Sequence, residues 1–184
     1  MSLVLIGLPA SGKSSLGAAL AERLGLVHLD TDALIEARTG QSIPDIFSQH
    51  GEAVFRQWEA EAVAWALAQP EAVVSLGGGA VCTAAVRQAL AGHRVVWLDV
   101  SLRTAIRRAG LGGLRPLLQG DLRQRLAELE RLRRPLYQAL ADHRVSGDGT
   151  HLGPLADRLV AELSRAGWPT APADQTEAQV TDHA

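Results

Sequence analysis

The sequence predicts a three-layer α/β/α fold in which helices cover both faces of a parallel sheet. Short runs rich in β-branched residues alternate with longer amphipathic segments along most of the 184-residue chain. The first run leads directly into a glycine-containing turn and then into an amphipathic segment, which is typical of a strand-to-helix junction. Parallel strands need crossover helices, and ligands bind where the carboxyl ends of such strands meet.

Each predicted element is bounded by Gly, Pro, Ser or Asp. The predicted strands are residues 3–6, 26–29, 72–76, 94–98 and 143–146. The predicted helices are residues 13–24, 32–38, 52–68, 80–91, 101–108, 121–141 and 153–165. Since a chain of this length with 47% hydrophobic residues encloses one core, we expect one domain over residues 1–167. From Trp168 onward the composition lacks apolar periodicity, which predicts a disordered tail over residues 168–184.

Charge and composition exclude several classes of partner. The 18 basic and 20 acidic residues leave a formal charge of −2, which provides no field for binding nucleic acid. No apolar run reaches the roughly 18 residues that cross a membrane, so we expect a cytoplasmic protein with no membrane partner. Cys82 is the only cysteine, which predicts a reducing compartment and a buried, unreactive thiol.

The segment Gly7–Ser14 reads Gly-Leu-Pro-Ala-Ser-Gly-Lys-Ser and matches the phosphate-loop pattern G-x-x-x-x-G-K-[ST] between a strand and a helix. The amide groups of such a loop point inward, and the positive end of the next helix adds to their attraction for phosphate. We expect Lys13 to reach the β- and γ-phosphates of a nucleoside triphosphate and the Ser14 hydroxyl to hold magnesium. An ordinary glycine turn is the alternative, but it requires neither side chain.

Lys13 is the only lysine in the chain, since every other basic side chain is arginine. A composition that disfavours lysine retains it where a compact ammonium on a flexible stem is needed. The position of this one residue therefore supports the phosphate-loop interpretation independently of the motif.

Two carboxylates follow the second predicted strand, in the segment Leu29-Asp30-Thr31-Asp32. At this sheet edge Asp30 and Asp32 would face the phosphate loop, where carboxylates can organise magnesium or accept a proton from an attacking hydroxyl. A helix N-cap is the alternative, although capping needs only one of the two.

Three further segments are candidates for binding an acceptor. The triplet Gly77-Gly78-Gly79 permits close backbone approach to a small polar molecule, with a tight turn as the alternative. Arg56 and Arg134 could bind a carboxylate, or could instead pair with neighbouring glutamates. The glycine-rich stretch around Arg115 predicts a lid over the transferred phosphate, with a simple linker as the alternative.

Taken in chain order, these segments resemble the shikimate kinase family, within the nucleoside-monophosphate-kinase-like group of phosphate-loop proteins. The resemblance covers about residues 2–165. It rests on residues 7–14, 29–32, 51–59, 76–80, 115–118 and 133–137. The phosphate loop is generic, whereas the aspartate pair, the triple glycine and the two Arg-Pro-Leu stretches in combination are specific.

The resemblance implies transfer of the ATP γ-phosphoryl group to the 3-hydroxyl of shikimate by a monomer with a five-stranded P-loop NTPase-type sheet. It implies a shikimate-binding region at about residues 31–60 and a lid at about residues 110–122. The implied catalytic residues are Lys13, Asp32 as the base, and Arg115. One Mg²⁺ per subunit would be held by Ser14 directly and by Asp30 through water.

The resemblance also implies two sets of binding residues. The residues for ATP are Pro9, Ala10, Ser11, Gly12, Lys13, Ser14, Ser15, Arg108 and Arg115, with Arg108 stacking on adenine. The residues for shikimate are Asp32, Arg56, Glu59, Gly77, Gly78, Gly79, Arg115 and Arg134.

Two departures from the family pattern leave one property open. Many relatives carry glycine where this loop has Ala10, but that position is free in the general motif. Adenine-contacting relatives often carry basic residues before the last helix, whereas this chain has Gly147-Asp148-Gly149-Thr150-His151, so the preferred nucleotide base stays open. A kinase for gluconate or another polyol, a nucleoside monophosphate kinase, and a non-catalytic nucleotide switch are the alternative functions.

Overall fold

The computed structural model describes residues 1–111, 119–149 and 151–168. Its sheet contains five strands in the order β2-β3-β1-β4-β5, and every neighbouring pair is parallel. The strands are β1 (Leu3–Ile6), β2 (Val27–Asp30), β3 (Ala72–Ser75), β4 (Arg94–Asp99) and β5 (His143–Ser146). The predicted strands and the predicted fold class are confirmed, since each strand boundary agrees to within one residue.

The helices of the described residues lie between the strands and after them. They are α1 (Lys13–Leu24), α2 (Thr31–Thr39), α3 (Ile43–Ala68), α4 (Ala84–Ala89), α5 (Leu102–Leu111), α6 (Gln119–Leu140) and α7 (Leu152–Arg165). The predicted single helix over residues 80–91 is wrong, because a short 3-10 helix at Ala80–Cys82 precedes α4 and the extended backbone of Thr83 separates them.

Helix α3 begins at Ile43 rather than at the predicted residue 52. Ser42 caps its N-terminus by accepting a hydrogen bond from the amide of Asp45, and Pro44 lies in the first turn, where its missing N–H is tolerated. Gly51 has a φ of 79°, outside the helical region, and divides the helix into two parts. The prediction therefore covered only the part of α3 that follows this break.

Alternate strand residues face the two helical layers. Leu3 and Leu5 of β1 pack in the cluster that includes α1 and α7, while Val4 and Ile6 pack in the cluster that includes α3, α4 and α6. All four side chains are buried, as expected for the central strand of a sheet covered on both faces. Within the described ranges, no helix is both long enough and apolar enough to span a bilayer.

Two predictions about burial are wrong. Trp168 is buried and packs in the α1 and α7 cluster, so the folded domain extends through this residue, and residues 169–184 of the predicted tail lie outside the described chain. Cys82 is exposed, because its neighbour Val81 faces the core and the next position turns outward.

Candidate active site

The phosphate loop joins β1 to α1 at the centre of the sheet edge. Gly12 is the N-cap of α1 with a φ of 97°, and Gly7 has a φ of 149°. A Cβ atom at Gly7 would lie 2.5 Å from the carbonyl oxygen of Leu98, so both the conformation and the space require glycine there. Ala10 also adopts a left-handed φ of 59°, a conformation that favours glycine.

Lys13 is buried at the start of α1 and its ammonium lies across the loop. Nζ donates to the carbonyl oxygens of Gly7 at 3.0 Å and Leu8 at 2.8 Å. Burial lowers the pKa of Lys13 to about 8, even though the carboxylates of Asp32 and Asp30 raise it. The Lys13 ammonium is therefore charged at neutral pH and loses its proton at moderately alkaline pH.

Asp30 lies where β2 ends and accepts hydrogen bonds from three groups. Its Oδ1 accepts hydrogen bonds from the amides of Asp32 (3.0 Å) and Ala33 (3.3 Å), so Asp30 is the N-cap of α2. Its Oδ2 accepts a hydrogen bond from the Ser14 hydroxyl at 2.5 Å. One carboxylate oxygen of Asp30 therefore caps α2, as the alternative interpretation predicted, while the other contacts the phosphate loop. Its role at a magnesium ion stays a prediction.

Asp32 lies in the first turn of α2, partly buried beside other acidic groups. Burial, followed by the charges of Asp30 and Glu59, raises the pKa of Asp32 from 3.8 to about 6, while Lys13 opposes this rise. A carboxylate with such a pKa is ionised at neutral pH but accepts a proton more readily than an ordinary aspartate.

The phosphate loop and the aspartate pair open into one cavity of about 550 Å³. The predicted proximity of these two groups is therefore confirmed. The sequence-predicted residues in its lining are Pro9, Ala10, Gly12, Lys13, Ser14, Ser15, Asp30, Asp32, Arg56, Glu59, Gly77, Gly78, Gly79 and Arg108.

Each of the three glycines after β3 is in close contact with a different partner. A Cβ atom at Gly77 would lie 2.5 Å from Oδ1 of Asp32, and one at Gly79 would lie 2.5 Å from the Arg56 guanidinium. At Gly78 the added atom would meet the ring of Pro9 at 2.7 Å. None of the three has a left-handed φ, so close approach rather than backbone conformation requires glycine at these positions.

Arg56 is held at the cavity wall by two glutamates of the same helix. Its NH1 donates to Oε2 of Glu59 at 2.7 Å, and its NH2 donates to Oε1 of Glu52 at 3.1 Å. Glu59 is buried, and this burial raises the pKa of its carboxyl, although Arg56 and then Arg133 act in the opposite direction. Arg56 therefore pairs with its neighbouring glutamates and also lines the cavity, since a guanidinium has donors on more than one edge.

The prediction of Arg134 as a cavity residue needs correction. Its guanidinium pairs with Asp99 at 3.3 Å and Glu130 at 3.1 Å and lies over the ring of Trp97, away from the cavity. Arg133 lines the cavity instead, and its NH1 donates to the carbonyl oxygen of Gly78 at 3.0 Å.

Helical periodicity explains the difference between these two arginines. Arg133 lies on the same face of α6 as the buried side chains Leu126 and Tyr137, seven residues before it and four after it. Arg134 is rotated about 100° from that face. The spacing of apolar residues was therefore the signal that could have selected Arg133.

Arg108 of α5 lies on the outer side of the phosphate loop. Its guanidinium donates to the carbonyl oxygen of Ser11 and, at 3.0 Å, to that of Gly147. A second cavity of about 240 Å³ lies beside it, with Leu98, Leu152 and Leu155 in its wall. This arrangement offers a planar cation and apolar surface next to the loop.

Sequence reasoning missed the apolar wall of the main cavity. Ile43, Phe47 and Phe55 of α3 line it together with the polar residues. Their signal was weak, because single apolar residues on an amphipathic helix are usually core. Arg115 and the central part of the predicted lid lie in residues 112–118, outside the described chain.

Comparisons with known sequences match this chain to shikimate kinases. A family model described as shikimate kinase matches residues 9–164. The chain is 50% identical over 164 residues to a shikimate kinase of Thermobifida fusca, with 89% of this chain and 95% of the relative covered. It is 47% identical over 161 residues to a shikimate kinase of Mycobacterium bovis, with 87% and 92% covered.

Solved structures of a shikimate kinase and of another small-molecule kinase are similar to this chain. The chain is similar to the structure of shikimate kinase from Acinetobacter baumannii in complex with shikimate, with a TM-score of 0.84, 32% identity, and coverage of 90% of this chain and 93% of that chain. A gluconokinase from Sinorhizobium meliloti matches with a TM-score of 0.58 at 21% identity, covering 90% of this chain and 92% of that one. At that identity, the likeness to the gluconokinase shows the fold alone.

Proposed function

The chain belongs to the shikimate kinase family, and from this premise we propose that phosphoryl transfer takes place between its phosphate loop and the aspartates after β2. The activity is ATP-dependent phosphorylation of the 3-hydroxyl of shikimate, a step of aromatic amino acid biosynthesis. One observation carries the proposal for the site: Lys13 and Asp32 line the same cavity of about 550 Å³, together with Arg56 and Arg133.

On the donor side, the loop amides and Lys13 bind the phosphates of ATP. The N-terminus of α1 adds its positive dipole end, and the ammonium exchanges its loop carbonyl partners for phosphate oxygens. A loose transition state spreads negative charge over the transferred group, so a fixed cation at this point lowers the barrier. The nucleotide base of ATP lies in the apolar cavity beside Arg108.

The residues beside the loop fit a magnesium ion. The Ser14 hydroxyl and a carboxylate oxygen of Asp30 converge to 2.5 Å, and oxygen donors are the ligands that Mg²⁺ prefers. Ser14 would ligate the ion directly, while Asp30, whose other oxygen caps α2, would contact it through water. The ion would neutralise phosphate charge when bound together with ATP.

On the acceptor side, Asp32 accepts the proton of the attacking hydroxyl. With a pKa of about 6 it is ionised at neutral pH and sits close to the loop that presents the phosphate. Arg56 and Arg133 bind the carboxylate of the substrate, because both line the cavity and a guanidinium matches a carboxylate in two-point geometry. The aromatic wall of Phe47 and Phe55 packs against the ring of the substrate.

The decisive experiment measures ADP production from Mg-ATP with and without shikimate. We expect turnover that depends on shikimate, whereas gluconate and AMP leave the rate at its background. A gluconate-dependent or AMP-dependent rate would favour the corresponding alternative kinase. ATP binding without turnover on any acceptor, with quinate included in the panel, would favour a nucleotide switch.

A matched pair of variants tests the acceptor assignment. We expect Arg133→Met to raise the KM for shikimate at least about tenfold, since a lost charge-assisted hydrogen bond is worth about 1.5–3 kcal/mol. Arg134→Met removes the same charge one residue along the helix, and its KM should stay within about twofold of wild type. A larger effect from Arg134→Met in steady-state kinetics would contradict the assignment.

We also propose that the protein works as a cytoplasmic monomer. The proposed site is built from the phosphate loop, the turn after β3 and the helices α2, α3 and α6 of the same chain, which is consistent with a monomer. Sedimentation of the active protein tests this, because a dimer at assay concentration would contradict it.

A further inference from the structure

We propose that Thr31 is a positioning residue, whose hydroxyl fixes the triple-glycine turn against Asp32. The inference rests on the proposed function of the cavity, because it concerns how the acceptor half of that cavity keeps its shape. Thr31 stands between the two aspartates and is fully buried. It does not line the cavity.

The Thr31 hydroxyl forms two hydrogen bonds, both to the segment that ends β3. Its Oγ1 donates to the carbonyl oxygen of Ser75 at 3.3 Å and accepts from the amide of Gly77 at 3.0 Å. A threonine hydroxyl has one proton and can accept as well, so both roles are satisfied at once. Valine has nearly the same shape but can play neither role.

These bonds lie where the regular pairing of β2 with β3 stops. The last paired residues are Asp30 and Ser75, and the chain enters α2 at Thr31. Directly after β3 the amide of Leu76 donates to the carbonyl oxygen of Leu5 of β1, which leaves the amide of Gly77 on the β2 side. The backbone of β2 has already turned away, and the threonine side chain replaces it as the partner of this buried amide.

The turn held by Thr31 forms the surface beside the proposed base. A Cβ atom at Gly77 would lie 2.5 Å from Oδ1 of Asp32 and 2.7 Å from Oε1 of Glu59, so the main chain of Gly77 is in close contact with both carboxylates. On its other side the turn is held by Tyr137, whose hydroxyl donates to the carbonyl oxygen of Gly78 at 2.6 Å. Without the Thr31 bond, the amide of Gly77 would lose its partner on the β2 side of the turn.

An ordinary buried threonine would contribute to stability without affecting one substrate more than the other. A positioning role predicts a selective effect instead. The acceptor half depends on Thr31, whereas the phosphate loop is held by its own glycines and by α1. Displacement of a reacting group by about 1 Å is enough to reduce catalysis about a hundredfold.

The test compares Thr31→Val with Thr31→Ser, which restores the hydroxyl. We expect Thr31→Val to raise the KM for shikimate about tenfold and to lower kcat, with the KM for ATP within about twofold of wild type. Thr31→Ser should stay within about threefold of wild type in every constant. If the valine variant does not fold, Thr31→Ala takes its place, because it removes the hydroxyl without facing a methyl group toward Gly77. It should give the same selective loss.

Thr39→Val is the matched control. Thr39 lies on the same helix, donates from Oγ1 to the carbonyl oxygen of Ile35 at 2.8 Å and accepts from the amide of Gln41 at 3.3 Å, away from the cavity. We expect its kinetic constants to equal those of wild type. An equal loss in this control would show that any lost threonine hydroxyl has the same effect, and would overturn the proposal.

A second readout separates this inference from the proposed function. Hydrogen exchange of the Gly77 amide, followed by NMR, should be at least about tenfold faster in Thr31→Val than in wild type and unchanged in Thr39→Val. An unchanged exchange rate, or equal rises in both KM values, would overturn the positioning role. If the wild-type protein does not phosphorylate shikimate, the proposed function fails, and the exchange rate still tests the hydrogen bond by itself.

Discussion

Replacing Asp32 by asparagine should stabilise the folded protein while it removes the activity. Asp32 is partly buried beside Asp30 and Glu59, and burial together with these two charges raises its pKa to about 6. It is therefore still ionised at neutral pH, at a cost in free energy. Asparagine keeps the shape and removes the charge. The same desolvation and repulsion that make Asp32 a suitable base therefore destabilise the fold, and the substitution relieves both.

The magnitude follows from the pKa. A rise from 3.8 to about 6, at about 1.4 kcal/mol for each pH unit, corresponds to about 3 kcal/mol of unfavourable free energy in the ionised state. Solvent screening at this partly exposed side chain reduces the gain, so we expect about 1–2 kcal/mol. Because the folded pKa lies above the unfolded pKa, the penalty is absent below about pH 4, grows as the pH rises and is complete above about pH 6.

The assay is urea unfolding of wild type and Asp32→Asn at several pH values, beside Glu71→Gln as the control. Glu71 is exposed and precedes β3, at the opposite end of that strand from the cavity. Asp32→Asn should be more stable than wild type at pH 7.5, little more stable at pH 4, and slower in turnover by several orders of magnitude. Equal stability at both pH values, or an equal gain in Glu71→Gln, would refute the reasoning.

Three further predictions concern charge and backbone. As the only lysine, Lys13 should give one ¹³Cε signal in lysine-labelled protein that titrates near pH 8 without nucleotide, and kcat/KM for ATP should fall as the pH rises through that value; a midpoint near 10.5 would contradict the desolvation. Ala10→Gly should raise the free energy of unfolding by up to about 1 kcal/mol, because relief of the left-handed strain exceeds the added chain entropy of glycine; a loss of stability measured in urea would show that the loop is not strained. Gly79→Ala places a methyl group against the flexible end of Arg56, so the KM for shikimate should rise while the melting temperature changes by only a few degrees; unfolding of this variant would mean that the guanidinium cannot move.

Local pattern was sufficient for the strands, for most helices and for the phosphate loop. These features depend on periodicity and on short-range steric rules, which any stretch of sequence carries by itself. The start of α3 after Ser42 and the choice of Arg133 over Arg134 were also within reach, because a capping serine and a helical face can both be recognised from neighbouring residues.

Other features depend on residues that are distant in the chain, and no local rule could supply them. Trp168 is buried because α1 and α7 offer it a surface, and Cys82 is exposed because the chain turns at that position. Asp30 meets Ser14, Gly79 meets Arg56 and Thr31 meets Gly77 only after β3 has paired between β1 and β2. The sequence alone determined which chemical groups the protein has, while the sheet order decided their distances, because hydrogen bonds and pKa shifts depend on separations that only packing sets.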